Sequence, residues 1–584
     1  MIKHFFYLAI AAMLLTGCTK NLDVPPADQI SNEQYWKTAS DLNAYVLQFY
    51  SAFPNFKNQT GFHGNIGMDA YLGSDHQVQN IPVTTLNGTR TAVISGGRWN
   101  WASIRAVNIF FENYEKVKEP AANIAQYVGE AHFFKAWFYF EKLRFYGDVP
   151  WYTHSMLVDD PHLYDPRTPR TQVVDSILWH LDQAIATLNF LKDVPGGNNR
   201  LSKEAALIFK SRVALFEGSW QKYHSGTVFA TPGATPNKYF QAAVDAVTEL
   251  MTPGKYKVGI TNTGKPASDY NSLFNSTNLS SNTEVTLWCK FDKTQSNFSH
   301  NFQQFITSGT NGLSNTKELV WNYLKKDGTP NDLDALAGNV KGSAFLAQLA
   351  TDCDPRLSQV IYTPGQTMWD NSGGKVLFSK PFLEKSGENK NYTGFQLNKG
   401  VDPKDPTAGG ALGFSTACET GSVVFRYAEA LLNYAEAQAE LGQPVDYTIS
   451  LNKLRARAGM PNFSIQPDPN RSKYADYGYS LSDELYEIRR ERAVELACEN
   501  FRFDDWRRWR AHALFNGKRP QGFPYLASEY AANLVVPVNA QGFVDAFKTS
   551  LPNGYSFNAG RDYLDNIPTN EITLNPNLVQ NPGW

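Results

Sequence analysis

Cysteine is scarce in this chain: five in 584 residues, at Cys18, Cys289, Cys353, Cys418 and Cys498, with no C-x-x-C pair among them. That spacing excludes a zinc-ribbon site and a dense disulfide framework. The last four cysteines read as small buried hydrophobes, although an oxidising compartment would permit two bridges in any of three pairings. Charge of one sign is also missing. The 54 basic and 56 acidic residues leave a formal net charge of −2, and the isoelectric point is near 6.6. With no Lys/Arg block, nothing is available to track phosphates, and no nucleic-acid partner is expected. No stretch reaches 18 consecutive apolar residues, so no transmembrane helix is expected. The motifs H-E-x-x-H, G-x-S-x-G, G-x-x-x-x-G-K-[ST] and G-x-G-x-x-G are all lacking, and with them the common signatures of metalloproteases, serine hydrolases and nucleotide-binding enzymes. A glycoside hydrolase needs only two carboxylates about 5 to 10 Å apart. The adjacent Asp504 and Asp505 would diverge on a helix and make a poor pair. No enzyme activity, metal or cofactor is expected.

Apolar and aromatic residues are plentiful, at 42% and 14% of the chain, enough to bury more than one core. The N-terminus carries Lys3 and His4, an apolar run from Phe5 to Leu15, and "LTGC" ending at Cys18. The run is too short to span a bilayer. It resembles a bacterial lipoprotein signal, in which residues 1–17 are removed and Cys18 is lipidated. Acyl chains contribute about 0.8 kcal/mol per buried CH₂, so a multiply acylated Cys18 would anchor the protein to a membrane. Residues 18–32, with "NLDVPPADQI", read as a tether.

Beyond the tether, helical periodicity dominates. "WNWASIRAVNIFFENYEKV" and "NIAQYVGEAHFFKAWFYFEKLRFYG" flank Pro120, with Gly147 closing the second, and form a helical hairpin. "TQVVDSILWHLDQAIATLNFL" and "SKEAALIFKSRVALFEGSW" form another across "DVPGGNN", and "NKYFQAAVDAVTELM" begins a third. In "RYAEALLNYAEAQAELG" the residues Ala428, Leu431, Leu432, Ala435 and Ala439 predict one apolar stripe, with Gly442 as the stop. The expected fold is mainly α, with tetratricopeptide-like hairpins in an α-superhelix and a large irregular insert containing short strands such as "EVTLWCKF" and "KVLFSK". The divisions expected are a helical region over 33–255, an insert over 256–423 that would carry the ligand-binding surface, and a second helical region with the tail over 424–584.

Several stretches together resemble the SusD/RagB family of Bacteroidetes surface lipoproteins. They are the lipobox at Cys18, "GLSNTKELVWNYLKKDGTP", "DPRL" at Asp354–Leu357, "RYAEALLNYAEA", "LNKLRARAGMP", "IRRERAVELACENFRFDDWRRW" and the ending "IPTNEITLNPNLVQNPGW". The resemblance implies four tetratricopeptide-like helical pairs and a role in capturing glycans for a SusC-like TonB-dependent transporter, with the protein lipid-anchored in the outer membrane and exposed at the cell surface. A peptide-capturing RagB-like subunit, a helical assembly scaffold and a glycoside hydrolase are the alternatives.

From the residues alone, most of these motifs read as structural. "DPRL" sets a turn with Arg356 reaching a carboxylate or carbonyl, Trp288 is explained by strand packing, and Ser482 is a candidate N-cap. Glu499 with Arg502, and Asp504 with Arg508, would pair along a solvated or interhelical face, contributing about 0.2 to 0.5 kcal/mol each if exposed. For sugar binding, aromatic faces and planar polar groups are needed. The first candidate loop, "MDAYLGSDHQVQN", corresponds to a ligand-face loop of the family and offers Tyr71, Asp75, His76, Gln77 and Asn80; it has none of the tryptophans of the family's starch-binding member. The second, "SHNFQQFITSGTNGLSN", offers Phe302, Gln303, Phe305 and Asn311.

Overall fold

A computed structural model describes residues 35–54, 66–295, 298–308, 312–410 and 417–584. Cys18, the signal, the whole tether and Asn311 lie outside the described residues. The helices that frame the site are α1 (Ala39–Leu47), α2 (Ala102–Asn113), α3 (Ala121–Tyr146), α4 (Arg170–Thr187), α5 (Lys203–Tyr223), α6 (Pro236–Leu250), α7 (Tyr427–Glu440), α8 (Leu451–Ala458), α9 (Asp483–Glu495) and α10 (Arg502–Arg508); a further helix at Gly342–Asp352 and several short ones lie elsewhere. Local chemistry sets their ends. Ser202 accepts from the Ala205 N–H at the start of α5, Pro236 opens α6, and Ser482 caps α9 through the Leu485 N–H, as its position predicts. Gly147, with φ near +73°, ends α3.

Consecutive helices pack pairwise from α2 on α3 through α5 on α6, and α1 also lies on α3. The partner of α6 beyond α5 is α7, which lies past the whole insert in sequence. So the third hairpin, begun at "NKYFQ", is completed by the helix at "RYAEALL". The expectation of a single apolar stripe on that helix is corrected: every residue from Tyr427 to Ala437 is buried, because α5, α6, α8 and α9 all pack around it. The stop is where it was expected, with Gly442 at φ near +70°.

Burial on all sides forces the glutamates of α7 to find cations. Glu429 takes both arms of Arg212 at 2.6 and 2.7 Å. Glu436 takes Arg508 at 2.8 and 2.6 Å and the Trp509 indole at 2.6 Å. Glu440 takes Lys222 and Arg489. The solvated reading of the "IRRERAVELACENFRFDDWRRW" charges is corrected in the same way. These side chains lie in the interior, where Arg502 holds Asp75, Arg508 holds Glu436 and Asp505, and Asp504 accepts from Arg144. At the centre of this lattice Glu495 accepts from Arg356, Arg426 and Arg457 together. Arg356 also grips Asp354 and Glu491, which is the carboxylate role read from "DPRL".

Strand β2 (Val285–Cys289) pairs antiparallel with β6 (Ser422–Arg426), with Trp288 opposite Val423. Strand β1 (Gln77–Val78) pairs with β3 (Ser314–Asn315), and β4 (Thr367–Asn371) with β5 (Gly374–Leu377). Trp288 is buried and donates its indole N–H to Asn198 at 2.7 Å, in keeping with strand packing. A Cβ on Gly421 would stand 2.5 Å from that ring. Gly421→Ala is therefore expected to cost about 1 to 3 kcal/mol by overpacking, read as a lower urea midpoint; an unchanged midpoint would show that the ring can move. Cys289, Cys353, Cys418 and Cys498 are all unbridged, the last three buried and Cys289 half-buried.

Candidate functional site

Most of the first candidate loop is fastened to the protein interior. Asp69 accepts the Asn500 and Phe503 N–H groups, Gly73 accepts the Trp506 indole at 3.0 Å, and Asp75 takes Arg502 at 2.7 and 2.6 Å. Burial alone would raise the Asp75 carboxyl, but the Arg502 guanidinium holds it well below the usual carboxylate range. Burial pushes Asp69 up to about 7 and His76 down to about 3. His76 is thus a neutral, buried ring whose carbonyl receives the Thr316 N–H at 3.0 Å. Gln77 is buried and donates to Asn315 at 3.1 Å in the β1–β3 ladder. In the second loop, Phe302 and Gln303 are buried, and Gln303 donates to Gly400 O and Thr420 while accepting from the Asp402 N–H. Phe305 is half-buried on the same short helix. The structure therefore makes Asp75, His76, Gln77, Phe302 and Gln303 interior residues, because the loops need internal partners for their own polar groups. The β1–β3 ladder joins the two loops, and the exposed Asn80 lies beside Gly312 and Tyr392.

Tyr71 has a different place. The clamped loop leaves it 37% exposed, at a cavity of about 350 Å³ lined also by Arg90, Arg98, Phe145, Arg507, Asp565 and Asn566. A second cavity of about 230 Å³ shares Leu72, Arg98 and Phe145 with the first and adds Arg144, Asn500 and Asp504. A third, of about 220 Å³ and mainly apolar, shares Phe53 and Val424 with the second and is walled by Tyr50, Leu287 and Trp288. The three form a chain of adjoining spaces along the ends of α3 and α10 and over the β2–β6 pair. Each is near the lower end of ligand-site volumes, and as a series they suit an elongated ligand.

The polar end is arranged around one ring. The guanidinium carbons of Arg98, Arg144 and Arg507 lie 4.1, 4.7 and 5.3 Å from the centre of Phe145. Arg507 spends Nε and Nη2 on the Tyr563 carbonyl, while its Nη1 has no hydrogen-bond partner and stands 3.9 Å from Asp504 Oδ1. Burial pushes Arg507 down to about 9. Asn500, on the cavity wall, holds φ near +66° and has a buried, unpartnered Oδ1. Left-handed backbone at a non-glycine residue marks a position held by its surroundings. The tail closes this end: Trp584 stacks with Arg90 and Arg561, and Asn581 donates to the Tyr146 and Asp565 carbonyls. That gives "QNPGW" a structural role. Asp504 and Asp505, bonded to Arg144 and to Arg492 and Arg508 respectively, are not a paired set of carboxylates facing one space.

Tyr71, a candidate from the first loop, borders this groove, whereas Arg98, Arg144, Phe145, Asn500 and Arg507 were not among the candidates. Arg507 lies in the charge run read as a solvated or interhelical face. The available signal was density: "ENFRFDDWRRWR" carries more guanidiniums and rings than one solvated face can use.

A family model described as the SusD family matches residues 271–584, and one described as starch-binding associating with outer membrane matches residues 91–215. SusD-like protein P38 of Formosa agariphila is 24% identical over 563 residues, covering 89% of this chain and 98% of that protein. A crystal structure of a SusD-like protein from Bacteroides fragilis has the same fold, with TM-score 0.71 and 22% identity over 96% of this chain and all of the other. So does a SusD-like carbohydrate binding protein from the same species, with TM-score 0.71 and 21% identity over 93% of this chain and all of the other. With more than half of its length matched by the family model, the chain belongs to the SusD family.

Proposed function

We propose that this protein is a non-catalytic saccharide receptor that binds sugar chains in the groove at Tyr71 and Phe145. Its family and a structural relative described as carbohydrate binding support the class of ligand. The single observation that carries the reading to this groove is its composition: Tyr71 at the mouth, with the half-exposed guanidinium of Arg98 on the same lining. Sugar rings present apolar C–H faces to aromatic rings and hydroxyls to planar polar groups. Such contacts add about 0.5 to 1.5 kcal/mol each, and after the losses of association they leave micromolar to millimolar affinity. That range suits a receptor that must also release.

The same proposal places the protein on the outer membrane, tethered through Cys18 and delivering its cargo to a SusC-like TonB-dependent transporter. The second family description, of association with the outer membrane, supports the location. A tether would keep receptor and transporter at high effective concentration.

Calorimetry of the chain lacking residues 1–18 against a panel of polysaccharides and peptides tests the reading. At least one polysaccharide is expected to bind, and Tyr71→Ala to weaken it about three- to tenfold. Binding of peptides alone, or of no panel member, would sink it.

A further inference from the structure

We propose that the apolar cavity at the far end of the groove receives an aromatic acyl group, carried as an ester on the captured saccharide. This rests on the saccharide reading and narrows it to what the sugar bears.

The third cavity differs in chemistry from the other two. Those are lined by arginines and carboxylates, whereas the third, of about 220 Å³, has one charged side chain on its lining, the exposed Lys290. Its walls include Tyr50, Phe53, Leu287, Trp288 and Val424, and the last four are at most 5% exposed. Successive side chains of a regular strand point to opposite faces, yet Leu287, Trp288 and Cys289 all border this one space. The register of β2 against β6 shifts between Leu287 and Trp288, and such an irregularity re-aims side chains.

Most polar side-chain atoms of these walls are already spent. The Tyr50 hydroxyl accepts the Leu201 N–H at 3.0 Å and bonds to Glu130, the Trp288 indole donates to Asn198 at 2.7 Å, and the Asn199 amide donates to the Trp288 carbonyl at 3.0 Å. Burial pushes the Cys289 thiol up to about 12, in keeping with surroundings that stabilise charge poorly. A bare sugar ring entering this space would give up water at its hydroxyls, with the Asn199 Oδ1 and the Lys290 ammonium as the remaining side-chain partners. An aromatic ring makes no such demand. Its burial is favourable in itself, and with Tyr50, Phe53 and Trp288 on the lining, ring-on-ring contact adds to it. Phe53 and Val424 also line the neighbouring polar cavity, so a saccharide lying there is one shared wall away from the apolar space. An ester supplies a short, neutral link across that wall.

The test uses the chain lacking residues 1–18, in which Cys289 is the half-buried thiol beside three buried ones. Methyl ferulate is the first probe. Alkylation of Cys289 by N-ethylmaleimide, followed by peptide mass spectrometry, is expected to slow in proportion to the fraction of cavity it occupies. The second measurement is calorimetry with a feruloylated arabinoxylan oligosaccharide and the same oligosaccharide after alkaline removal of the ester. The esterified form is expected to bind about tenfold more tightly, as burial of one aromatic ring should give. Cys289→Phe, which places a ring in the cavity at a strand position that suits aromatics, is expected to remove most of that advantage, and Cys289→Ser, which adds no bulk, to retain most of it. Melting temperatures are recorded for both variants, and the alkylation measurement needs neither. Cys289 alkylation that methyl ferulate leaves unchanged, or an ester that adds no affinity, overturns the aryl chamber and leaves saccharide capture standing. Protection by methyl ferulate beside a polysaccharide panel that fails entirely would instead keep the chamber and remove the saccharide reading.

Discussion

Glu495→Gln is expected to destabilise the protein by about 3 to 5 kcal/mol, a large fraction of the 5 to 15 kcal/mol typical of a folded domain. Glutamine keeps the shape and one acceptor oxygen but removes the charge that Arg356, Arg426 and Arg457 converge on. All three arginines are at most 2% exposed, so water cannot take over. Glu284 and Glu499 would remain on Arg426, and Asp354 and Glu491 on Arg356. Urea unfolding measures the loss. The comparison is Glu249→Gln, which breaks a surface pair with Lys255 and should change stability by no more than about 1 kcal/mol. Similar losses for the two variants would mean that the interior lattice is replaceable by solvent and that burial of its charges is not what makes it matter.

The second large effect is acid unfolding with a flat shoulder. Burial alone would raise Asp75, Glu436, Glu491, Glu495 and Asp505, but adjacent guanidiniums hold all five below the ordinary carboxylate range. A carboxyl with a depressed folded pKa adds stability that is present above its unfolded pKa, near 4, and is lost as pH falls through the folded value. Burial also pushes His76, His180 and His224 down to about 3, 2 and 3. Below about pH 6.5 the unfolded chain takes up protons that these rings refuse, so they too lose stability as pH falls. Asp69 and Glu487 oppose them. Burial pushes both up to about 7, so the folded chain binds the extra proton between about 4 and 7 and gains as pH falls through that window. The two sets partly cancel from pH 7 to 5. Below about pH 4 only the losses remain, each up to about 1.4 kcal/mol per pH unit. The urea midpoint should change little from pH 7 to 5 and fall steeply below 4. A midpoint that holds to pH 3 would contradict the ion-pair account.

These two results bear on what the groove requires. Arg502 and Asp75 pin the loop that carries Tyr71, and the Asp69 carboxyl receives the backbone of Asn500 on the groove wall. The groove is thus fastened to the same lattice that holds α7, α9 and α10 together. Conditions that loosen the lattice should weaken binding before the helices melt.

The chain's local properties were legible from its residues because they depend on near neighbours. Helix spacing, Pro120 and Gly147 as breaks, Ser482 as a cap and the β2 strand at "EVTLWCKF" all follow from periodicity and backbone chemistry within a few positions. The family motifs were legible for the same reason. What only the tertiary structure decided was which sides of each element face inward. Helix α7 lost its expected solvent face because its hairpin partner arrives from the far side of the insert, and once four helices surround it, its glutamates must be paired. The same enclosure turned a helix that reads as salt-bridged at its surface into a buried lattice, and it made interior ties of Asp75, His76 and Gln77. The groove belongs to this second category. Tyr71, Arg98, Phe145 and Arg507 are separated by up to hundreds of residues and share no local pattern, and their common property, one ring with three guanidiniums around it and one idle donor, exists only after the long-range contacts have formed.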